Sequence, residues 1–169
     1  MERRRKMLVR AFGKADVPAM RDIWNEVVRS ENAFPQVEEL KADEAEGFFA
    51  AQSFSGVAVD DDGKVLGLCI VHPNNIGRCG VIANASYAVA SAARGRGAGE
   101  ALVRESLRKA RELGFRVMQF NAVVASNSAA IRLYGKLGFK PLGTVPGAYR
   151  HNDGSFEDIR LFCYDLTKL

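Results

Sequence analysis

The sequence is poor in the residues that build metal centres and cross-links. It has two histidines, His72 and His151, and three cysteines, Cys69, Cys79 and Cys163. Two histidines exclude a His-rich metal site. An odd number of widely spaced cysteines, two of them in segments that read as strands, argues against a disulfide framework and a zinc site. It points instead to reduced, mostly buried thiols in a cytoplasmic protein. No apolar run approaches the roughly 20 residues of a membrane span. The basic start MERRRKM is not followed by a signal-peptide hydrophobic segment. There is no internal repeat, low-complexity tract or linker, and 169 residues suit one domain with a full-sized core. The expectation is a single domain over residues 1–169, with 1–6 a flexible basic terminus.

Net charge is +4, but Glu2 with Arg3, Arg4, Arg5 and Lys6 carries +3 of it, leaving +1 for everything else. The basic balance is therefore largely a property of one short terminus. A nucleic-acid arm would need such a cluster, but a single four-residue run reads first as a solvated end, so nucleic acid is not an expected partner.

What is present is a regular alternation of elements. MLVRA reads as a first strand. Asp16 reads as an N-cap, with Pro18 in the first helical turn and Met20, Ile23, Trp24, Val27 and Val28 at helical spacing. SENAFPQ ends that helix, because Pro35 disfavours helix at Phe34. A second helix is expected over Asp43 to Ala51. GVAVDDDGKVLGLCIV reads as two strands turning at Gly63, PNNIGRCG as a loop, and GVIANASYAV as a longer strand. A helix follows with Leu102, Val103, Leu107, Ala110 and Leu113 on its apolar face and Glu100, Arg104, Arg108 and Arg111 opposite, ending at Gly114. RVMQFNAVV is a strand. Ser126 or Asn127 caps the next helix and Gly138 closes it. Strands near FKPLGTV and FEDIRLFCYDL complete the chain, separated by a loop containing PGAYRHNDG. The predicted order is βααβββαβαββ, a mixed α/β domain.

One junction concentrates backbone freedom and charge. Arg94-Gly95-Arg96-Gly97-Ala98-Gly99 lies where a strand gives way to a helix. The first amides of a helix have no intrahelical partner, and the helix dipole makes that end positive. Glycines let an anion approach those amides, and Arg94 and Arg96 add charge. The pattern suits a diphosphate. It does not suit a P-loop, since no lysine follows the glycines, nor a Rossmann fingerprint, whose third glycine would fall on Glu100 or Leu102.

The stretch matches the R-x-x-G-x-G/A motif of the GNAT superfamily of acyl-CoA-dependent N-acetyltransferases, and the match extends downstream. Asn127 opens the next helix and LYGKLGF, Leu133 to Phe139, closes it, similar to that family's N…LYxxxGF segment. The element order also resembles the family's. The resemblance covers nearly the whole chain and implies a mostly antiparallel mixed sheet flanked by helices. It implies that the fourth and fifth strands splay to admit the cofactor, acetyl-CoA, with CoA as product. Arg94, Gly95, Arg96, Gly97, Ala98 and Gly99 would hold the pyrophosphate, backbone near Val89 the acetyl-pantetheine arm, and Asn127 and Tyr134 would flank it.

Acetyl transfer requires a neutral amine, a stabilised oxyanion and a protonated leaving thiolate. Tyr134 lies seven residues after Asn127, about two helical turns, so both share one face. The resemblance places the Tyr134 hydroxyl near the sulfur as acid. Glu31, His72, His151 and Asp158 are candidate bases without a motif to choose among them, and a water chain would serve as well. Asn84 and Asn121 interrupt apolar strands, where asparagine is disfavoured. Each reads either as the mark of a bulge or local side-chain–backbone bond or as a polar group at the strand splay. The pattern Asn84, Ser86, Tyr87, Phe120, Asn121, Asn127 is similar to the GNAT branch that includes fungal proline-analogue N-acetyltransferases. Loop Glu31 to Pro35 resembles the substrate-side loop of acetyltransferases acting on small amino acids such as phosphinothricin. That similarity makes Asn84, Asn121 and Phe34 acceptor-side residues, and Asn84 also catalytic. The expected acceptor is a small-molecule amine, an amino acid or analogue. Acetylation of a protein N-terminus or lysine, and a non-catalytic CoA-binding module, are the alternatives. Homodimerisation stays open, and no membrane partner is expected.

Overall fold

The computed structural model describes residues 7–169. The basic run Arg3 to Lys6 lies outside the described residues. Eleven main elements follow in the order read from the sequence: β1 (Leu8–Ala11), α1 (Val17–Ser30), α2 (Ala42–Ala50), β2 (Phe54–Val59), β3 (Val65–Pro73), β4 (Ile82–Val89), α3 (Ala98–Glu112), β5 (Val117–Val124), α4 (Ser128–Leu137), β6 (Lys140–Arg150) and β7 (Phe156–Asp165). The strands form one seven-stranded sheet in the order β1-β2-β3-β4-β5-β7-β6. Every neighbouring pair is antiparallel except β4 and β5, which are parallel.

The pleat sends alternate side chains to two cores. On one face α1 and α2 cover Leu68 and Ile70 of β3 and Ala88 of β4, with Trp24 against Phe34 at 4.2 Å between ring centroids. On the other, α3 and α4 cover Cys69 and Val71 of β3, Ala83 and Ala85 of β4, and Met118 and Phe120 of β5. Both helical stripes read from the sequence are buried, with one exception: Leu113 lies past the end of α3 and is exposed.

Four local expectations are corrected. Asp16 precedes α1, but its side chain makes no cap bond to that helix. Its carboxylate instead accepts the Gly13 N–H at 2.7 Å and is gripped by Arg10 at 2.7 and 3.1 Å, which holds its pKa below the ordinary carboxylate value. The second helix is displaced by one residue at each end. The loop expected around PGAYRHNDG is mostly strand, because β6 runs on to Arg150. Register shifts between Pro141 and Gly143 and between Val145 and Tyr149 let prolines and glycines sit in it, which an edge strand tolerates. Finally, of the three free cysteines only Cys69 is buried, its thiol pushed up to about 12 by desolvation. Cys163 is half-buried, and Cys79 is exposed in the turn before β4.

Candidate active site

The glycine-rich stretch begins the site. After β4 the chain makes a short turn, Ser91–Ala93, and then takes left-handed backbone at Gly95 (φ 75°) and Gly97 (φ 87°) before α3 starts at Ala98. A side chain at either glycine would be strained there. The Ala101 N–H donates to the Gly97 carbonyl at 3.1 Å. The amides of Ala98, Gly99 and Glu100 come before that first bond and form the donor end of the helix. Arg94, Arg96, Arg104 and Lys136 outnumber Glu26, Asp60 and Glu100, the acids bonded to this segment, Glu26 accepting the Ser91 N–H at 2.8 Å. Arg96 leans to within 3.9 Å of buried Asp60, and Glu100 accepts from Lys136 at 2.6 Å and Arg104 at 2.8 Å, which keeps its carboxyl ionised below the usual range. The helix start therefore keeps a positive surplus in addition to its dipole.

Next to this loop the sheet opens. β4 and β5 are in register at only two pairs, Ile82 with Val117 and Ala83 with Met118. Beyond them the strands part. Ile82 accepts from Asn74, and Ala90 donates to Leu66, so the even-numbered residues of β4 bond β3. By the antiparallel alternation the backbone groups of Ala85, Tyr87 and Val89 point the other way, toward the departed β5. A ladder edge thus runs from the sheet interior to the glycine loop; along it the Ala85 N–H is taken by Asn84 Oδ1, and the Tyr87 and Val89 backbone groups face the gap. On β5 the register against β7 slips between Phe120 and Val123, so Asn121 and Ala122 form a bulge at the opening.

A cavity of about 380 Å³ passes through this gap. On the α3/α4 side Gly99, Val103, Leu133 and Tyr134 line it. On the α1/α2 side His72, Asn84, Asn121 and the loop Ala33 to Gln36 line it. A Cβ on Gly99 would sit 3.8 Å from both Leu133 and Val89, narrowing the passage between α3, α4 and the end of β4.

Tyr134 is buried among Phe120, Phe139 and Phe162, with ring centroids 4.6, 5.3 and 5.8 Å away. Its hydroxyl has no hydrogen bond among the described residues, yet no buried side-chain polar atom lacks a partner. The hydroxyl therefore opens on to the cavity. Desolvation raises its pKa, so it stays protonated and available to donate. Tyr87, beside it at 6.5 Å between ring centroids, is bound to Ser106 at 2.7 Å. Asn127 lines the same wall and caps α4 through the Ala130 N–H at 3.3 Å.

The sequence-predicted acceptor residues are gathered unequally. Asn84 is half-buried: its Oδ1 accepts the Ala85 N–H at 2.8 Å, and its NH₂ group has no partner among the described residues. Asn121 is exposed and largely engaged. Its Oδ1 accepts from Asn74 and Gln119, each at 3.1 Å, and its Nδ2 donates to Asn74. Asn84 makes the local side-chain–backbone bond, and Asn121 occupies the bulge, that the sequence reading allowed for them. Phe34 reaches the cavity rim, but its ring is in the core against Trp24. Of the four candidate bases only His72 lines the cavity. Glu31 accepts the Asn152 N–H, His151 pairs with Glu157 at 2.9 Å, and Asp158 accepts the Gly147 N–H at 2.9 Å.

Those bonds reveal what the sequence did not suggest. The Tyr149 hydroxyl donates to the Phe34 carbonyl at 2.9 Å, and Glu157 also accepts the Ser126 N–H at 2.6 Å. Tyr149, His151, Glu157 and Glu31 together tie the loop after α1 to the β6–β7 hairpin. No local signal could have linked Tyr149 to Phe34, since the two are 115 positions apart.

Comparison with known proteins identifies the family and the fold. The model of the acetyltransferase (GNAT) family matches residues 17–139. The N-acetyltransferase aca1 of Schizosaccharomyces pombe is 30% identical over 120 residues, covering 70% of this chain. The match spans only 57% of that longer relative. The L-methionine sulfoximine/L-methionine sulfone acetyltransferase of Pseudomonas paraeruginosa is 30% identical, covering 82% of this chain and 83% of that one. Among solved structures, a GCN5-related N-acetyltransferase from Kribbella flavida superimposes with a TM-score of 0.86 at 36% identity, covering 94% of this chain and 97% of its own. The yncA protein of Salmonella typhimurium, solved with acetyl-CoA, shares the fold with a TM-score of 0.88 at 24% identity, covering 95% of this chain and 94% of its own. The chain belongs to the GNAT family of acetyltransferases.

Proposed function

We propose that this enzyme transfers the acetyl group of acetyl-CoA to the amine of a small amino acid or amino-acid analogue. One observation carries the reading. A cavity runs from Gly99, in the first turn of α3 on one face of the sheet, through the gap between β4 and β5 to a polar recess under the α1–α2 loop on the other.

The residues present fit acetyl-CoA as the acetyl donor. The Ala98, Gly99 and Glu100 amides, with Arg94 and Arg96, would take the diphosphate. The backbone edge at Tyr87 and Val89, with the Ala85 carbonyl, offers partners to the pantetheine arm. The thioester supplies an acyl group already activated toward an amine. Tyr134, protonated and without a partner among the described residues, would donate to the leaving sulfur, whose acid has a pKa near 8.5, well below that of the phenol. On the far side the Asn84 NH₂ group can donate to a carboxylate or carbonyl. The recess is roofed by a loop pinned through Tyr149, which favours a small acceptor over a protein surface.

Support for the acceptor class comes from the Pseudomonas relative, whose name specifies two amino-acid analogues. The test is release of free thiol from acetyl-CoA against a panel of amines. Turnover should be highest with small neutral amino acids and their analogues. Turnover confined to peptides would replace the acceptor class. Acetyl-CoA binding with no turnover on any amine would leave a coenzyme-binding module.

A further inference from the structure

We propose that His72 is the proton acceptor for the incoming amine. The inference rests on the acetyl-transfer reading above.

An amino acid at neutral pH arrives as an ammonium ion and cannot attack until it loses a proton. Among the described residues the cavity lining contains no lysine, arginine, aspartate or glutamate. Its titratable side chains are His72, Tyr87 and Tyr134. Tyr87 is already bound to Ser106, and Tyr134, a buried protonated phenol, is a donor and not a base. That leaves His72 as the one lining side chain, among the described residues, with a nitrogen lone pair free to accept a proton. The other candidate bases are held by bonds outside the cavity, as described above.

Position and tautomer agree with this role. His72 is in register with Asn84 across the β3–β4 ladder, so the two side chains project from the same face. Asn84 and His72 therefore stand side by side on the α1/α2 wall. His72 Nδ1 lies 3.0 Å from the Pro73 carbonyl oxygen. A carbonyl only accepts, so in the neutral ring Nδ1 carries the hydrogen and Nε2 keeps its lone pair. The ring is held as a base by its own backbone.

The proton count closes. The ammonium gives one proton to His72 Nε2, directly or through one water, and His72 later releases it to solvent. The freed nitrogen lone pair forms the C–N bond at the thioester carbonyl, and collapse breaks the C–S bond. The thiolate takes the Tyr134 hydroxyl proton, and the second nitrogen proton restores Tyr134. The products are the N-acetyl compound, CoA thiol and one proton. A neutral wall with a single imidazole also selects the acceptor: a zwitterion keeps overall neutrality, whereas a polyamine or a dicarboxylate would bring net charge without a partner.

The experiment compares His72→Ala and His72→Gln with the parent on two acceptors. One is the best amino acid from the amine panel. The other is its aminooxy analogue, whose nitrogen is already neutral at assay pH. Calorimetry with acetyl-CoA and thermal melting establish that each variant is folded. Both variants should lose about 10²–10⁴-fold in kcat on the amino acid, the usual range for a general base. Both should stay within about threefold of the parent on the aminooxy acceptor. Equal losses on both acceptors would make His72 structural and overturn the proposal, as would parental kcat on the amino acid. If the parent itself acetylates no amine, the acetyl-transfer reading fails instead.

Discussion

The two walls of the cavity are made in different ways. The α3/α4 wall is assembled from nearby sequence: Tyr87 of β4, Gly99 and Val103 of α3 just after the glycine stretch, and one face of α4 carrying Asn127, Ala130, Leu133 and Tyr134. Its chemistry is mainly backbone amides at a helix start plus one phenol. The α1/α2 wall collects His72 from β3, Asn84 from β4, Asn121 from a bulge in β5 and Ala33 to Gln36 from a loop. That loop is held from the far hairpin by Tyr149. Its chemistry is side chains brought together by tertiary contacts. The first wall suits a ligand shared by a whole family, because backbone amides are indifferent to sequence. The second can be re-specified by changing a few side chains, which suits an acceptor that varies among relatives.

The comparison breaks most sharply at Tyr134. Removal of only the hydroxyl in Tyr134→Phe should lower kcat by about 10²–10⁴-fold while acetyl-CoA affinity, measured by calorimetry, stays near that of the parent. An unchanged rate in the folded variant would reduce Tyr134 to a packing residue. At the other end of the same wall, Gly97→Glu forces a side chain into left-handed backbone and sets a carboxylate at the helix start. Acetyl-CoA affinity should fall by about 100-fold from strain and like-charge repulsion together. Parental affinity would refute the diphosphate assignment.

The acceptor wall should respond more weakly and in a different parameter. Asn84→Ala removes a free donor and should lower kcat on the amino acid by about tenfold, the scale of one lost hydrogen bond to a charged group. Asn121→Ala should mainly raise the acceptor KM, and by less, since Asn74 and Gln119 already occupy most of its amide. If both variants keep parental kinetics and lose only thermal stability, the asparagines are structural. The smallest effect belongs to Tyr149→Phe, which frees the Phe34 carbonyl. Acceptor KM should rise by about threefold with acetyl-CoA affinity untouched. An equal change in both ligands would mean that the two walls are not separable.

How much of this was legible depended on distance along the chain. Helical stripes, the glycine stretch and the Asn127–Tyr134 spacing are local patterns, and they led to the right elements and the right family. Local rules failed where a residue had a better partner nearby or a special place in the sheet. Asp16 turned to Arg10 and Gly13 instead of capping α1. Pro146 and Gly147 entered β6 because an edge strand with bulges tolerates them. Asn84 and Asn121 stood out in the sequence as polar interruptions, but their different engagement was invisible, because Asn74 and Gln119 carried no mark as partners.

By itself, then, the sequence determined the order of elements, the glycine-rich start of α3 and the face of α4 that carries Tyr134, because each depends on contacts within a few residues and on helix or strand periodicity. Only the tertiary structure decided which of four candidate bases reaches the cavity, because His72 and Asn84 meet through strand register, and Glu31, His151 and Asp158 are drawn into other bonds. It also decided that β4 and β5 part after two residue pairs, since that depends on how α3, α4 and a β-bulge pack against the sheet, and no short stretch of sequence contains such packing.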